Sequence, residues 1–488
     1  MDTIGRAQLE TALSALGEVL ATRGAHFEVV LVGGGNLILR GLITRPTTRD
    51  LDILGAWTPD GIVPIRSMPE PLRDAVVDVG RTFGLASDWL NTGPDSLLDF
   101  GLPDGFVERL ERRDFGGLVA WLAGWYDMVC FKLYAAVDQG PRSRHFQDLV
   151  ELRADRDDLL EAARWARATI HRRASVPCSS RRSGHSAWRK PMTGSGSSLV
   201  GALLNRAWIQ WAALGVDATV ERDDAVVDPE ALIALTAELG DADARLRDLS
   251  TDWCVAYGRY INGSRLKQVV RELGTPGEAI GEYVATVAAA GGPSWPMATQ
   301  PRPDYVRRAK ARMDSATTRP RLRIRLRAAF GVNARADVLA ALLAASPHEL
   351  TAADLARSTR FTKPNVASAL DALVLAGLAT AHPVANERRF GLPSKVPLLP
   401  GLRPPVTQPD WVSRFGVALE VHRFAERDGA STTVRAIEAR RLIERLMGRM
   451  LAEGMPIPNL DVTGNEFAYA FDRWLVDFVD RLRAASRG

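Results

Sequence analysis

The sequence VVLVGGGNLILRGLITRPTTRDLDIL, residues 29 to 54, joins an apolar run, three consecutive glycines and two aspartates that are one residue apart. The apolar run predicts a buried strand. The glycines that follow it, Gly33, Gly34 and Gly35, allow the backbone to turn tightly into a short helix, NLILR, which ends at Gly41. Because the N-terminus of a helix behind such a turn attracts phosphate, we expect a phosphate-binding turn here.

The segment TRDLDIL, which comes next, alternates polar and apolar residues as a half-buried strand does. Side chains two residues apart share a face of a strand, so Thr48, Asp50 and Asp52 are expected on one side, with Leu51 and Ile53 toward the core. Two carboxylates in one small space repel each other, and the pKa of one must rise unless Mg²⁺ binds both. The pair therefore predicts a magnesium site, with a solvated strand edge as the structural alternative.

A glycine turn followed by an Asp-x-Asp strand resembles the signature of the nucleotidyltransferase superfamily. Two further segments, SDWLNTGPDSLLDFGLPDGF at 87–106 and DMVCFKLYAAVDQGPRSRHFQDLVEL at 127–152, resemble the AbiEii and MenT group of bacterial nucleotidyltransferase toxins. The resemblance covers roughly residues 25–165. It implies that Lys132 and Asp148 complete the catalytic site, and that nucleotides pass from a nucleoside triphosphate to RNA, most plausibly to the 3′ end of tRNA.

Nucleotidyl transfer requires metals and cations around the triphosphate, and this requirement assigns a role to each candidate. Asp50 and Asp52 would hold Mg²⁺, and Lys132, in an otherwise apolar helix, would contact a phosphate unless it is a surface lysine. Asp148 would orient Lys132, position the acceptor or cap a helix. The expected nucleotide-binding residues are Gly33, Gly34, Gly35, Thr48, Arg49, Arg144 and His145. The distance in sequence from the glycines to Asp50 is slightly longer than usual, which leaves open whether Arg45 or Arg49 has a role.

The second half contains the segment ADVLAALLAASPHELTAADLARSTRFTKPNVASALDALVLAGLATAHPVANERRFGL, residues 336–392. Its order of helices, with a short helix opened by Thr351 and another that starts near Thr362, resembles the winged helix-turn-helix of the MarR and ArsR regulators. In that resemblance Lys363, Asn365 and Ser368 begin the recognition helix, and Arg388 and Arg389 lie on the wing near DNA phosphates. A protein-docking module is the alternative.

Composition and local patterns predict an α/β nucleotidyltransferase domain followed by a mainly α region with a winged helix-turn-helix. A net charge of +4 on 488 residues is too small to indicate nucleic-acid binding by itself. The three cysteines form no CxxC pair, no apolar stretch is long enough to span a membrane, and the N-terminus does not read as a signal peptide, which together predict a cytoplasmic protein.

The predicted domains are a nucleotidyltransferase at 1–171, an Arg/Ser/Gly-rich linker at 172–198, a helical domain at 199–300, a basic segment at 301–330 that adds attraction to DNA, the winged helix at 331–395 and a helical domain at 408–488.

These expectations combine into a hypothesis of a toxin–antitoxin fusion. Its first part would be a Mg²⁺-dependent transferase that uses a nucleoside triphosphate and RNA, and its second part would restrain the first through an intramolecular interface and bind operator DNA. Two other classes stay open: a transcription regulator with an inactive transferase domain, and a nucleotidyltransferase of the antibiotic-modifying type that acts on a small molecule.

Overall fold

The computed structural model divides into two compact units. The first comprises Met1–Pro191, Gly429–Glu444 and Pro458–Arg473, and the second comprises Met192–Asp428, Arg445–Ile457 and Trp474–Gly488. The residues that the structure describes are 3–140, 142–172, 196–216, 223–308, 311–313, 315–384, 387–393, 406–427 and 429–484. Residues 173–195 of the predicted linker, and Cys178 with them, lie outside the described residues.

The first unit is an α/β fold around a six-stranded mixed sheet with the strand order β5-β4-β2-β8-β7, in which β6 also pairs with β4. Strands β2 and β8 are parallel, as are β4 and β6, and the other pairs are antiparallel. The elements are β1 (Ile4–Gly5), α1 (Arg6–Thr22), β2 (Phe27–Val32), α2 (Gly33–Arg40), β3 (Thr47–Thr48), β4 (Leu51–Thr58), β5 (Gly61–Val63), α3 (Glu70–Phe83), β6 (Leu90–Asn91), two 3₁₀ helices (Gly93–Phe100 and Val107–Arg109), β7 (Glu111–Asp114), β8 (Leu118–Leu122), α4 (Trp125–Gln139), α5 (Arg144–Glu151) and α6 (Arg156–Arg172). This order confirms the predicted α/β class.

The two faces of this sheet carry separate hydrophobic cores. Val29 and Leu31 of β2 pack with α1 and α3, whereas Val30 and Val32 of the same strand pack with α4, α5 and α6. This division follows from the alternation of side chains along a strand. Helix α4, which carries Lys132, therefore lies on the opposite face of the sheet from α1 and α3.

Two segments from the far C-terminal part of the chain belong to the first unit. Val434 and Ile437 are buried in the core formed by α1, α3 and the sheet. Around them, Arg23 forms ion pairs with Asp78 at 2.6 Å and with Glu438 at 2.7 Å. The core of the first unit is thus completed by residues about 400 positions away, whereas the sequence places all of 408–488 in one helical domain.

The second unit is mainly helical and confirms the second part of the predicted fold class. Asp228 caps α8 by accepting a hydrogen bond from the backbone N–H of Ala231 at 3.3 Å. Its helices before the winged helix are α7 (Gly196–Leu214), α8 (Pro229–Leu239), α9 (Ala244–Tyr257), α10 (Gly263–Leu273), α11 (Gly277–Ala289) and α12 (Leu322–Phe330), with 3₁₀ turns at Gly258–Tyr260 and Arg319–Arg321. After it comes α16 (Trp411–Ala425), while α17 (Thr432–Ala452) and α18 (Glu466–Ala484) each contribute residues to both units.

The winged helix consists of α13 (Ala334–Ala345), β9 (Leu350–Thr351), α14 (Ala352–Thr359), α15 (Lys363–Leu375), β10 (Thr380–Val384) and β11 (Glu387–Gly391). Its sheet has the order β10-β11-β9. As the sequence predicts, Thr351 caps α14, where its hydroxyl accepts from the backbone N–H of Asp354 at 3.1 Å, and Thr362 precedes α15. The recognition helix and the wing thus have the predicted positions.

The predicted DNA attraction of the basic segment 301–330 is wrong for two of its arginines. Arg323 and Arg327 are 3% and 1% exposed, and Arg327 pairs with Glu230 at 2.6 Å and with Asp337 at 3.0 Å. A buried arginine with such partners is not available to DNA phosphates. Glu230 lies 97 residues before Arg327 and Asp337 lies 10 residues after it, both outside the segment, so charge counting along the segment could not reveal the pairing.

None of the helices in the described parts of the chain is long and apolar enough to cross a membrane.

Candidate active site and nucleic-acid interface

Two side chains, those of Asp52 and Arg45, lie very close to the backbone of the glycine turn. Gly33 has φ +78°, and α2 begins at this residue, so the three glycines form the first turn of the helix rather than a loop before it. A Cβ atom at Gly33 would lie 2.0 Å from Oδ2 of Asp52, and one at Gly34 would lie 2.7 Å from Nη2 of Arg45. Larger residues would displace the carboxylate and the guanidinium, which explains glycine at both positions.

The two predicted carboxylates lie at the start of β4, beside this turn. Asp52 is opposite Val32 of β2 and Asn91 of β6, whereas Asp50 precedes the strand. Leu51 is fully buried, as the alternation predicts. Burial raises the pKa of Asp52 to about 6, and the charge of Asp50 contributes to the shift. Burial also raises the pKa of Asp50.

Lys132, Asp148 and Arg45 form a buried ion cluster next to the carboxylate pair. Lys132 Nζ lies 2.7 Å from Asp148 Oδ2, and Arg45 Nη1 donates to Asp148 Oδ1 at 2.5 Å. Lys132 is only 4% exposed, so it is not a surface lysine, and the N-cap of α5 is Ser143 rather than Asp148. Of the three roles considered for Asp148, the geometry supports orientation of Lys132.

Two residues of this site have no assigned role in the sequence interpretation. The Asn91 side chain lies beside the Asp52 carboxylate and opposes the rise in the pKa of that group. Arg45 joins the ion cluster and reaches the glycine turn. Asn91 falls in the segment WLNTG that contributes to the family resemblance, and this was the available signal for it. The sequence left open whether Arg45 or Arg49 has a role in the site. Only the folded structure shows that Arg45 joins the ion cluster, whereas Arg49 forms an exposed ion pair with Asp88.

The remaining candidates lie around the site at different depths. Thr48 is 3% exposed, and its hydroxyl donates to the backbone carbonyl of Asp50 at 3.2 Å. Arg49 points outward and pairs with Asp88 at 3.0 Å, and Arg144 is exposed at the start of α5, where its charge acts on Asp50. Burial, followed by the charge of Lys132, lowers the pKa of His145. Its contact with the nucleotide stays a prediction.

The carboxylate pair fits a hydrated divalent cation. None of the described residues forms an ion pair with Asp50 or Asp52 within 4.0 Å, although burial makes their charges costly. No group of three or more metal-ligating side chains occurs in the described parts of the chain. Mg²⁺ commonly binds through one or two carboxylates together with water and substrate phosphates, which is the kind of donor set offered here.

We expect Asp148→Asn to destabilise the protein, whereas Asp74→Asn, at a half-exposed position on α3, should not. The substitution leaves Lys132 and Arg45 buried with a neutral amide, and breaking a buried ion pair costs about 3 to 5 kcal/mol. Denaturant unfolding of the full chain checks this difference. Equal stability of the two variants would contradict the role of Asp148 as the shared counter-ion.

The predicted DNA-contacting residues are on the surface of the winged helix. Lys363, Asn365 and Ser368 are exposed on α15, and Arg388 and Arg389 are exposed on β11. Arg388 also lies 3.6 Å from Asp371 of the recognition helix in an exposed ion pair.

A polar cleft of about 490 Å³ borders one face of the recognition helix. Asn365 and Ser368 line it on one side, and Ser264, Arg265 and Gln268 of α10 line it on the other. Lys363 does not line the cleft.

The architecture consists of an α/β domain with a glycine turn and a carboxylate pair, followed by a mainly helical part with a winged helix-turn-helix. Comparisons with known proteins agree. Residues 7–151 match a family model described as a nucleotidyltransferase of unknown function (DUF6036), and residues 333–389 match the model of the MarR family. No curated protein and no solved structure matches the chain. These matches confirm the nucleotidyltransferase and MarR-type domains, while the specific likeness to AbiEii and MenT toxins stays a prediction.

Proposed function

We propose that the first unit is a Mg²⁺-dependent nucleotidyltransferase that transfers nucleotides from a nucleoside triphosphate to RNA. The proposal rests on one observation: the glycine turn, the Asp50–Asp52 pair and the buried Lys132–Asp148–Arg45 cluster lie close together. A regulator with an inactive transferase domain is less well supported, because the expected charged groups of the site are present and close together.

The residues of the site suggest a division of labour. Asp50 and Asp52 would hold Mg²⁺, which when bound neutralises charge on the triphosphate and orients it toward the acceptor hydroxyl. Lys132 and Arg45 share the single negative charge of Asp148, so their cluster carries a net positive charge. Among the described residues, Nη2 of Arg45 is buried without a hydrogen-bond partner, beside Gly34. A phosphate oxygen at the turn would supply that missing partner.

An RNA acceptor, most plausibly the 3′ end of tRNA, is favoured over a small molecule by the resemblance and by the charge around the site. Arg49, Arg142 and Arg144 are exposed near the carboxylate pair or in the loop before α5, and such cations attract a polyanion. The test is incubation of the full chain with each of four α-labelled triphosphates, Mg²⁺ and total RNA. Label in RNA supports the proposal, whereas label in a small molecule supports the antibiotic-modifying alternative.

We further propose that the MarR-type domain binds operator DNA, in which case Arg389→Ala should weaken binding to every duplex and lower its salt dependence. Loss of one phosphate contact reduces the slope of log K against log salt by about 0.9. Binding of the full chain to the promoter region of its own gene, measured at several salt concentrations by fluorescence anisotropy, checks this. Arg427→Ala, an exposed arginine outside the winged helix and the basic segment, is the control. An unchanged slope in Arg389→Ala would contradict the wing contact.

The part of the chain beyond residue 198 is proposed to restrain the transferase as an antitoxin does, since free RNA-modifying activity would harm the cell. In support, Val434 and Ile437 pack into the transferase core. A covalently joined partner acts at an effective concentration of about millimolar, so even a weak interface between the joined parts remains formed. The intramolecular interface of the hypothesis would include the ion pairs of Glu438 with Arg23 and Glu444 with Arg81.

Expression of Glu438→Ala/Glu444→Ala is therefore expected to slow growth, whereas the parent chain is tolerated. The double variant keeps the apolar contacts of Val434 and Ile437 and should stay folded. Addition of Asp50→Ala should restore growth if the arrest depends on transfer. Growth arrest by the parent chain, or a folded and harmless double variant, would contradict restraint through this surface.

A further inference from the structure

The polar cleft of about 490 Å³ beside the recognition helix is lined by charges of one sign only. Three of its lining residues are arginines, and none of those that the structure describes is an aspartate or a glutamate. A cleft with this composition favours an anionic ligand over a neutral or a cationic one.

The three arginines differ in whether their charge is already compensated. Arg265 and Arg360 are buried, and each forms ion pairs with two carboxylates that lie outside the lining. Arg335 is exposed near the start of α13 and has no ion-pair partner in the described parts of the chain. Its guanidinium group can therefore donate paired hydrogen bonds to a bound anion.

Four uncharged polar side chains face one another across the cleft. Ser264 and Gln268 belong to α10, and Asn365 and Ser368 belong to α15. All four are exposed or half-exposed, and none of them forms a side-chain hydrogen bond with another described residue. Hydroxyl and amide groups of this kind both donate to and accept from sugar hydroxyls. Among the described lining residues only Phe361 is aromatic, so the lining favours a hydroxylated ligand over a flat ring system.

The backbone adds donors to the same space. Asn262, Asn333 and Thr362 are the N-caps of α10, α13 and α15, and all three line the cleft. The side chain of Thr362 makes no capping hydrogen bond within the described residues, so N–H groups in the first turn of α15 can bind an anion. The tetrahedral oxygens of a phosphate suit donors that converge from separate helices better than a planar carboxylate does.

We propose that the polar cleft binds a small phosphorylated sugar, with its phosphate at Arg335 and the first turn of α15. The sugar hydroxyls would contact Gln268, Asn365 and Ser368. A volume of about 490 Å³ lies within the range of sites for small molecules. The assignment concerns the second unit alone and rests neither on nucleotide transfer nor on DNA binding.

Calorimetric titration of the full chain with ribose 5-phosphate tests the proposal, in the presence of a chelator that withholds metal from the transferase site. Inorganic phosphate and ribose are the controls for the two parts of the ligand. The sugar phosphate is expected to bind with a dissociation constant at or below about 1 mM, at least about fivefold more tightly than either control.

Variants of the lining assign the binding to the cleft. Arg335→Gln should weaken binding of ribose 5-phosphate about fivefold or more, because it removes the uncompensated charge. Gln268→Leu should weaken binding of the sugar phosphate but not of inorganic phosphate. Arg271→Gln, at an exposed position on α10 outside the lining, should bind like the parent chain.

A larger side chain at the edge of the cleft gives a second measurement. Ser264→Trp, at an exposed position that does not disturb the core, should abolish binding, and circular dichroism checks that the variant is folded. The proposal would be overturned by equal affinity for ribose 5-phosphate and inorganic phosphate, by unchanged binding in Arg335→Gln or in a folded Ser264→Trp, or by no binding at about 1 mM.

Discussion

Replacement of Asp52 by asparagine is expected to abolish nucleotide transfer and at the same time to raise the melting temperature of the metal-free protein. The carboxylate of Asp52 is held in a partly buried position beside Asp50, and its pKa is raised from 3.8 to about 6. At pH 7.5 this group is ionised at a cost, which by the size of the shift is on the order of 1 to 3 kcal/mol. An amide removes that cost, but it cannot hold Mg²⁺ as a carboxylate does.

The pH dependence of this gain has a definite direction. Because the pKa of Asp52 is higher in the folded than in the unfolded chain, the folded state is favoured below about pH 4 and loses that advantage as the pH rises through about 6. The asparagine variant should therefore match the parent below about pH 4 and exceed it above about pH 6. Calorimetric melting of the parent and the variant in the presence of a chelator, below about pH 4 and above about pH 6, measures both differences in stability.

Asp74→Asn provides the matched control, because Asp74 is half-exposed on α3 and distant in sequence from the glycine turn. It should melt and transfer nucleotides like the parent chain. Added Mg²⁺ should raise the melting temperature of the parent more than that of Asp52→Asn. An Asp52→Asn variant that retains full activity, or that is less stable than the parent at pH 8, would contradict the proposed metal site.

The second large effect is expected at Ile437, which lies about 400 residues from the glycine turn. Its side chain is fully buried in the core formed by α1, α3 and the sheet, and truncation of a buried isoleucine to alanine costs about 2 to 5 kcal/mol. We therefore expect Ile437→Ala to lower the stability of the transferase unit by this amount. Denaturant unfolding, followed together with transferase activity, measures the loss.

Leu451→Ala is the control for this prediction. Leu451 is on the same helix, α17, but it is 60% exposed and belongs to the second unit. Its truncation should change stability by less than about 0.5 kcal/mol. If Ile437→Ala and Leu451→Ala are equally stable, residues 429–444 do not complete the transferase core.

Much of the local structure could be predicted from the sequence because its causes are local. The apolar run before Gly33, the alternation around Asp52 and the capping residues Thr351 and Asp228 depend on neighbours within a few positions. These signals placed the strands, the glycine turn and the helix starts correctly. The site candidates Asp50, Asp52, Lys132 and Asp148 are also brought close together, although their catalytic roles await experiment.

The features that the sequence interpretation lacked depend on partners far along the chain. Arg323 and Arg327 look like a basic surface until Asp228, Glu230 and Asp337 are placed against them. The apolar residues of α17 show that the helix has a buried side, but the pattern does not identify α1 and α3 as its partners. Asn91 lies in a segment that contributes to the family resemblance, but its position beside Asp52 follows only from the pairing of β6 with β4.

Sequencing of RNA 3′ ends is the most direct test of the proposed transfer. Total RNA would be incubated with the full chain, Mg²⁺ and all four triphosphates, and the 3′ ends would be compared with those from the Asp50→Ala variant and from a reaction with chelator. The account predicts extra nucleotides at the 3′ ends of tRNA only with the parent chain and Mg²⁺. Unextended RNA in every reaction, despite turnover of triphosphate by a folded protein, would contradict RNA as the acceptor.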